Sequence, residues 1–161
     1  MKSFDSKRAD AIKKKNDVYS NAEKYKKLSE ELNKTRSDVA NSKKDIPDDL
    51  PYETNKQIET YYKEQERKLE REALDLANKI KDAEKEADES IKKMTDLGDE
   101  LNKKGDNLGG LKDTPLVGEF LDKKGAELKD QAEQMFDLAE ESREYSSKLA
   151  DSRTLALKRP E

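Results

Sequence analysis

The stretch LGDELNKKGDNL, Leu97 to Leu108, returns twenty residues later as VGEFLDKKGAEL, Val117 to Leu128. In each copy two glycines lie seven residues apart, between apolar residues at helical spacing and charged residues that suit a solvated helix face. A glycine inside a helix costs about 1 kcal/mol relative to alanine. We therefore expect the four glycines to lie where the absence of a side chain lets two parts of the chain pack closely.

We predict that the two copies face each other in an antiparallel helical hairpin. If the hairpin is centred on residues 111–112, Gly105 lies opposite Gly118, and Gly98 lies opposite Gly125. These structural glycines would let two helix backbones touch with almost no side chain between them. The alternative is that each glycine marks a kink or a helix end, which would make this region a chain of short helices.

The rest of the chain carries apolar residues at heptad spacing, as helices that pack along their length do. Only 31% of the residues are apolar and 45% are charged, so a wide globular core is excluded but a thin one is not. The three stripes with this spacing are Phe4, Ala11, Val18, Tyr25, Leu32, Val39 and Ile46; Ala73, Ile80, Ala87, Met94, Leu101 and Leu108; and Leu121, Leu128, Met135 and Leu149.

Two breaks separate the stripes into three helices. Pro47 and Pro51 interrupt the chain first, and Gly109-Gly110 followed by Pro115 interrupts it again. We therefore predict helices over 4–44, 54–108 and 115–157. The expected fold is all-α: one domain, 1–161, that forms an elongated, coiled-coil-like antiparallel three-helix bundle with a glycine-tipped hairpin.

Two surfaces are candidates for binding a partner protein, which we expect to be helical. The first is the stripe of Val18, Tyr25 and Leu32, because polar residues such as Arg36 interrupt the seam beside it, and an incomplete seam suits a partner that binds and leaves. The second is the hairpin tip, the least charged stretch of the chain. Its candidate contact residues are Leu108, Leu111, Leu116, Val117 and Phe120.

Other interpretations stay open at both ends of the second helix. The apolar residues of the tip could instead pack inside an ordinary turn, or the tip could contact a membrane surface. A cluster of Tyr52, Tyr61 and Tyr62 could staple the first break or anchor a partner helix.

The composition argues against catalysis. The chain has no histidine and no cysteine, so the usual nucleophile and zinc constellations cannot form. Calcium-binding and phosphate-binding loop motifs are also missing. We expect no enzyme, no catalytic residue, no metal and no cofactor. Because the net charge is −4 and both signs are interleaved, we expect no nucleic-acid partner.

No apolar run approaches the roughly 18 residues of a membrane span, and no secretory signal follows Met1. The chain is therefore expected in the cytoplasm when it is synthesised, and export by a route without a signal peptide is left open.

The Leu108-Gly109-Gly110 bend between apolar stripes resembles the WXG and LXG type helical proteins, and their partners, of bacterial type VII secretion. The Pro115–Gly125 run also resembles glycine-punctuated trafficking regions of polymorphic toxins. This resemblance implies a bacterial targeting adaptor, or the N-terminal loading domain of an exported effector or toxin. The alternatives are a structural coiled-coil spacer, a self-assembling subunit that forms homo-oligomers, and a membrane-active hairpin.

Overall fold

The computed structural model describes residues 3–160, and three long helices make up most of this range. Helix α1 is Phe4–Lys44, α2 is Tyr52–Gly109 and α3 is Gly118–Leu157. Residues 3–160 contain no β-strand. The prediction of an all-α helical bundle is confirmed at this level.

Local sequence signals account for the ends of α1 and for the start of α2. The Ser3 hydroxyl caps α1 by accepting a hydrogen bond from the Ser6 backbone N–H at 3.2 Å, and α1 ends before Pro47 with Lys43 and Lys44 in its last turn. Helix α2 begins at Tyr52, two residues earlier than predicted. The N–H of Asn55 donates to the carbonyl of Pro51 at 2.9 Å, so the first turn follows directly on that proline.

The prediction that the third helix starts at Pro115 is wrong, because Leu116 interrupts it. Leu116 has a φ of 72°, in the left-handed region, and a right-handed helix cannot pass through that conformation. Helix α3 starts after Leu116. The Gly118 N–H donates to the Thr114 carbonyl at 2.8 Å, and the Leu121 N–H donates to the Val117 carbonyl at 2.9 Å. Residues 110–117 therefore join α2 to α3.

Contacts within the chain group it into two compact units. Unit 1 contains residues 3–20 and 85–146, and unit 2 contains residues 21–84 and 147–160. Each unit includes a part of all three helices. The prediction of a single domain over 1–161 stays a prediction.

Unit 1 is a bundle with a thin core of small and medium-sized apolar side chains. As residue numbers rise along α2, their partners on α3 fall: the Ser142 hydroxyl lies 3.7 Å from Met94 Sδ, and Lys129 forms an ion pair with Asp106. The buried core residues are Ala11, Ile91, Met94, Leu101, Ala132, Met135, Leu138 and Ala139, and Phe4, Ile12, Leu97, Leu128 and Phe136 pack against them.

The predicted pairing of the glycines is wrong in both of its pairs. A Cβ atom built on Gly105 would lie 2.7 Å from the Gly125 carbonyl oxygen, and one built on Gly125 would lie 2.7 Å from that of Gly105. Gly98 instead lies under the ring of Phe136, and a Cβ atom built on Gly98 would be 2.6 Å from Cε1 of that ring. Gly118 packs on the carbonyl of Lys112. Close backbone approach does occur, but between Gly105 and Gly125.

The error is a displacement of one heptad. Both copies of the repeat place their glycines seven residues apart, so sliding one helix by seven residues brings similar faces together and leaves the stripes matched. The periodicity cannot choose between these registers. The observed register goes with a longer connection: the helices leave out residues 110–117, whereas the prediction leaves out only 109–114, and the centre of the hairpin lies further along the chain.

Unit 2 is a bundle whose core is richer in alanine and includes polar groups. Its buried apolar residues are Ala22, Leu69, Ala73, Ala77, Ile80, Ala83, Leu149 and Ala156. Ser29, Arg36 and Ser152 are buried among the same helices. Arg36, a polar interruption of the seam that was expected to suit a partner, is thus 9% exposed within the chain's own bundle.

We predict that Gly125→Ala lowers the free energy of unfolding by about 1–2 kcal/mol, because the added methyl group overpacks the contact by more than the gain in helix propensity recovers. Gly109→Ala is the matched control. Its Cβ would meet only Asp122 Oδ1, at 4.0 Å, so this change should leave stability unchanged or raise it by up to about 1 kcal/mol. Urea unfolding of both variants decides; equal stabilities would contradict the close contact.

In unit 2, we predict that Leu149→Ala lowers the free energy of unfolding by about 2–5 kcal/mol, because Leu149 is fully buried and its truncation leaves a cavity. The control is Leu74→Ala, whose side chain is 52% exposed and should cost less than about 1 kcal/mol. Thermal or urea unfolding of the two variants measures the difference, and a small loss for Leu149→Ala would show that this core is not tightly packed.

Candidate interaction surface

Four large apolar side chains between α2 and the first turn of α3 point into solvent. Leu111 is 48% exposed, Leu116 106%, Val117 46% and Phe120 67%. We call this set the apolar turn. These residues were predicted to form a tip that contacts a partner. The alternative was that they pack inside an ordinary turn, and their exposure contradicts this alternative. Leu108, the fifth residue of the predicted tip, is half-buried on the last turns of α2.

Backbone hydrogen bonds hold the apolar turn in a defined conformation. Leu111 N–H donates to Leu108 at 3.1 Å, and Thr114 N–H donates to Leu111 at 3.0 Å. Gly118 is buried against the carbonyl of Lys112, where a Cβ atom would collide with the backbone. The chain thus doubles back on itself at a position that only glycine fits, and the exposed side chains project from an ordered support.

Leu116 is unfavourable for folding in two respects. Its φ of 72° is a conformation in which leucine pays about 1–2 kcal/mol of strain. Its side chain is also fully exposed, so burial recovers none of that strain. A glycine or an asparagine would occupy this backbone position at lower cost. A strained, exposed leucine therefore points to a use of its side chain outside the folded chain.

The charges that flank the apolar turn are of both signs. Residues 110–124 contain three carboxylates, on Asp113, Glu119 and Asp122, and three lysines, Lys112, Lys123 and Lys124. All six of these charged residues are exposed. The apolar side chains thus lie in a segment whose charges balance.

The stripe proposed on α1 lies in a different environment from the apolar turn. Val18 is 5% exposed and belongs to the chain's own core, while Tyr25 and Leu32 are half-buried. Val18 is therefore not available to a partner in this structure, because the heptad stripe is packed within the chain. Sequence periodicity identifies the stripe but cannot tell an intramolecular partner from an intermolecular one.

The tyrosines at the start of α2 form a second exposed group. Tyr52 is 74% exposed and Tyr61 56%, and the rings of Tyr61 and Tyr62 meet edge to face with their centroids 5.3 Å apart. Both of these exposed tyrosines leave large apolar surface in solvent. Their role as partner anchors stays a prediction.

The shifted pKa values belong to ion pairs on helix surfaces. A hydrogen bond from Lys104 at 2.9 Å, and then its charge, lower the pKa of Glu100 below the ordinary value, and Lys7 adds to the effect. The pair therefore contributes stability above the unfolded-state pKa of Glu100, and this contribution is lost as the pH falls through its folded-state pKa. Glu84 likewise raises the pKa of Arg153, which stays charged at neutral pH.

Residues 3–160 contain no group of three or more carboxylates that could hold a metal ion. In the same range, none of the three helices has a stretch that is both long and apolar enough to cross a bilayer. The expectations that the protein is not an enzyme and needs no cofactor stay predictions.

Comparisons with models of protein families, with curated proteins and with solved structures gave no match to this chain. The resemblance to type VII secretion proteins, which depends on the Leu108-Gly109-Gly110 bend, therefore stays a prediction.

We predict that Leu116→Gly leaves the free energy of unfolding unchanged or raises it by up to about 1 kcal/mol, because relief of the left-handed strain outweighs the extra freedom of the unfolded chain. The matched control is Leu74→Gly, which replaces an exposed leucine inside α2 and should cost about 1 kcal/mol. Urea unfolding compares the two; a destabilised Leu116→Gly variant would mean that Leu116 supports the fold.

Proposed function

We propose that this chain is a non-enzymatic interaction protein, an antiparallel three-helix bundle that binds a partner protein through its apolar turn. The observation that carries the proposal is Leu116, which is strained and fully exposed in a turn whose other large apolar residues are also in solvent. The opposite order of the contacts along α2 and α3 in unit 1 supports the antiparallel arrangement.

Burial of the apolar turn by a partner would provide a useful amount of binding energy. A leucine, valine or phenylalanine side chain gains about 1.5–3 kcal/mol when it moves from water to a fully buried site. The side chains concerned are already about half exposed or more, and their backbone is already ordered by hydrogen bonds. Binding thus requires little additional ordering of the turn, which favours affinity.

The balanced charges around the apolar turn indicate the chemistry of the partner. Exposed carboxylates and lysines flank the apolar residues in equal number, so we propose an apolar pocket or groove with a polar rim of both signs on the partner protein. An anionic membrane surface attracts clusters of basic residues, and this segment has no excess of them. A protein partner is therefore the better candidate, and membrane contact becomes an outcome of the test.

In the cell, such a module would act as a targeting adaptor, or as the loading domain of an exported effector or toxin in a bacterium. This part of the proposal rests on the resemblance of the bend to type VII secretion proteins. A structural spacer is the second candidate, because α2 alone is 58 residues long. A spacer that self-assembles should associate with itself at rising concentration, whereas the proposed module should sediment as a monomer without its partner.

We predict that the double substitution Leu116→Asp with Phe120→Asp abolishes binding of the partner while the melting temperature changes little. The experiment places a photo-crosslinking amino acid at Leu111 in the native host, at the edge of the apolar turn, and identifies the crosslinked protein by mass spectrometry. A crosslinker at Leu74, an exposed leucine in unit 2, is the control. Only the Leu111 position should give the adduct, and the double variant should lose it.

Other outcomes point to other functions. Flotation with anionic vesicles that depends on Phe120 would favour the membrane-active hairpin. The same adduct from Leu111 and Leu74, or an adduct that survives the double substitution, would contradict binding through the apolar turn.

A further inference from the structure

Unit 2 contains a cavity of about 290 Å³ that combines apolar walls with charged side chains. Val39 of α1 and Leu69 of α2 supply apolar surface, and Arg36, Glu66, Glu70 and Arg159 supply the charges. Pockets that bind small molecules start at about 300 Å³ and are mostly apolar with a few placed polar groups. At about 290 Å³ this cavity lies at the lower end of that range, so only a small molecule would fit.

Arg36 is the unusual member of this lining. It is only 9% exposed, and its Nη1 donates a long hydrogen bond, 3.4 Å, to the carbonyl oxygen of Ala156. No carboxylate within residues 3–160 forms an ion pair with it. A guanidinium has five N–H donors, and a buried charge without a counter-charge is costly. The hydrogen bond to Ala156 uses one of these donors.

The two carboxylates of the cavity are already occupied by other cations. Glu66 pairs with Lys43 at 3.2 Å, and Glu70 pairs with Arg159 at 3.5 Å. Arg159 itself is largely exposed at the mouth of the cavity, with 81% of its side chain in solvent. Arg36 is therefore the charge of this cavity that lacks an opposite charge within the described residues.

A purely structural role accounts for part of this arrangement. Ala156 lies in the last turn of α3, so the Arg36 contact satisfies one of the carbonyls that have no partner at a helix end. The Ala156 carbonyl accepts from only one of the five N–H donors of Arg36. It does not explain why a fixed charge, and not an asparagine or a serine, is buried beside this cavity.

We infer that the cavity beside Arg36 binds a small organic monocarboxylate, with the carboxylate on the Arg36 guanidinium and a short apolar body against Val39 and Leu69. A carboxylate matches the planar fork of arginine with two parallel hydrogen bonds. A phosphate, with its higher charge, would be repelled more strongly by Glu66 and Glu70, which line the same space. This site lies in unit 2 and is independent of the apolar turn.

The test is the melting temperature of the full chain, measured by differential scanning calorimetry in sodium benzoate, sodium butyrate or sodium phosphate against sodium chloride at equal ionic strength. A ligand that binds the folded state raises the melting temperature in a saturable way. We predict a saturable rise with benzoate or butyrate. Arg36→Met should abolish it and Arg36→Lys should weaken it, because lysine keeps the charge but loses the fork.

Each variant is compared with its own melting temperature without ligand, so a change in basal stability does not affect the result. Arg71→Met is the matched control: it removes one positive charge from an exposed position of unit 2 and should keep the full response. The inference fails if neither carboxylate gives a saturable rise in the native chain, if phosphate alone does so, or if Arg36→Met responds as the native chain does.

Discussion

The close contact between the backbones of Gly105 and Gly125 is the constraint on which the arrangement of unit 1 depends. Side chains at these positions would hold α2 and α3 apart, so the contact selects one register from the set that the heptad spacing allows. That register sets the length of the connection between the helices. At that connection Gly118 packs on the carbonyl of Lys112, Leu116 lies in the left-handed region and the side chains of the apolar turn are in solvent.

The chain is highly charged and has few apolar residues, and its two units form their cores from different side chains. Unit 1 fills its core with medium-sized side chains such as Met94 and Met135, and buries one hydroxyl, Ser142, which donates to the Leu138 carbonyl at 2.8 Å. The core of unit 2 consists largely of alanine and includes the polar residues Ser29 and Arg36, whose burial has a desolvation cost. The Ser29 hydroxyl has no hydrogen-bond partner within the described residues. A core of this kind provides a modest stability margin, because each buried polar group must offset its own desolvation.

The two candidate sites share one property: each contains a residue that lowers the stability of the folded chain. Leu116 in unit 1 and Arg36 in unit 2 each work against the stability of the folded chain, one through strain and exposure and the other through burial of a charge. Val18 of the first heptad stripe, by contrast, is buried inside the molecule, whereas Tyr25 and Leu32 of that stripe are half-buried. Residues whose strain or burial lowers the stability of the fold are therefore the candidates for binding.

The sequence by itself determined the helical class and the ends of α1, because heptad spacing, prolines and capping residues act over a few neighbouring positions. It also placed some of the core residues, such as Ala11, Ile80 and Met135, on heptad stripes. It also located the apolar turn, through its low charge and its leucines. Only the tertiary structure decided the register of the glycines, the start of α3 and the burial of Val18 and Arg36. Periodicity is unchanged when a helix slides by one heptad, and it does not identify the partner of a stripe, so these properties depend on contacts between residues that are distant in the chain.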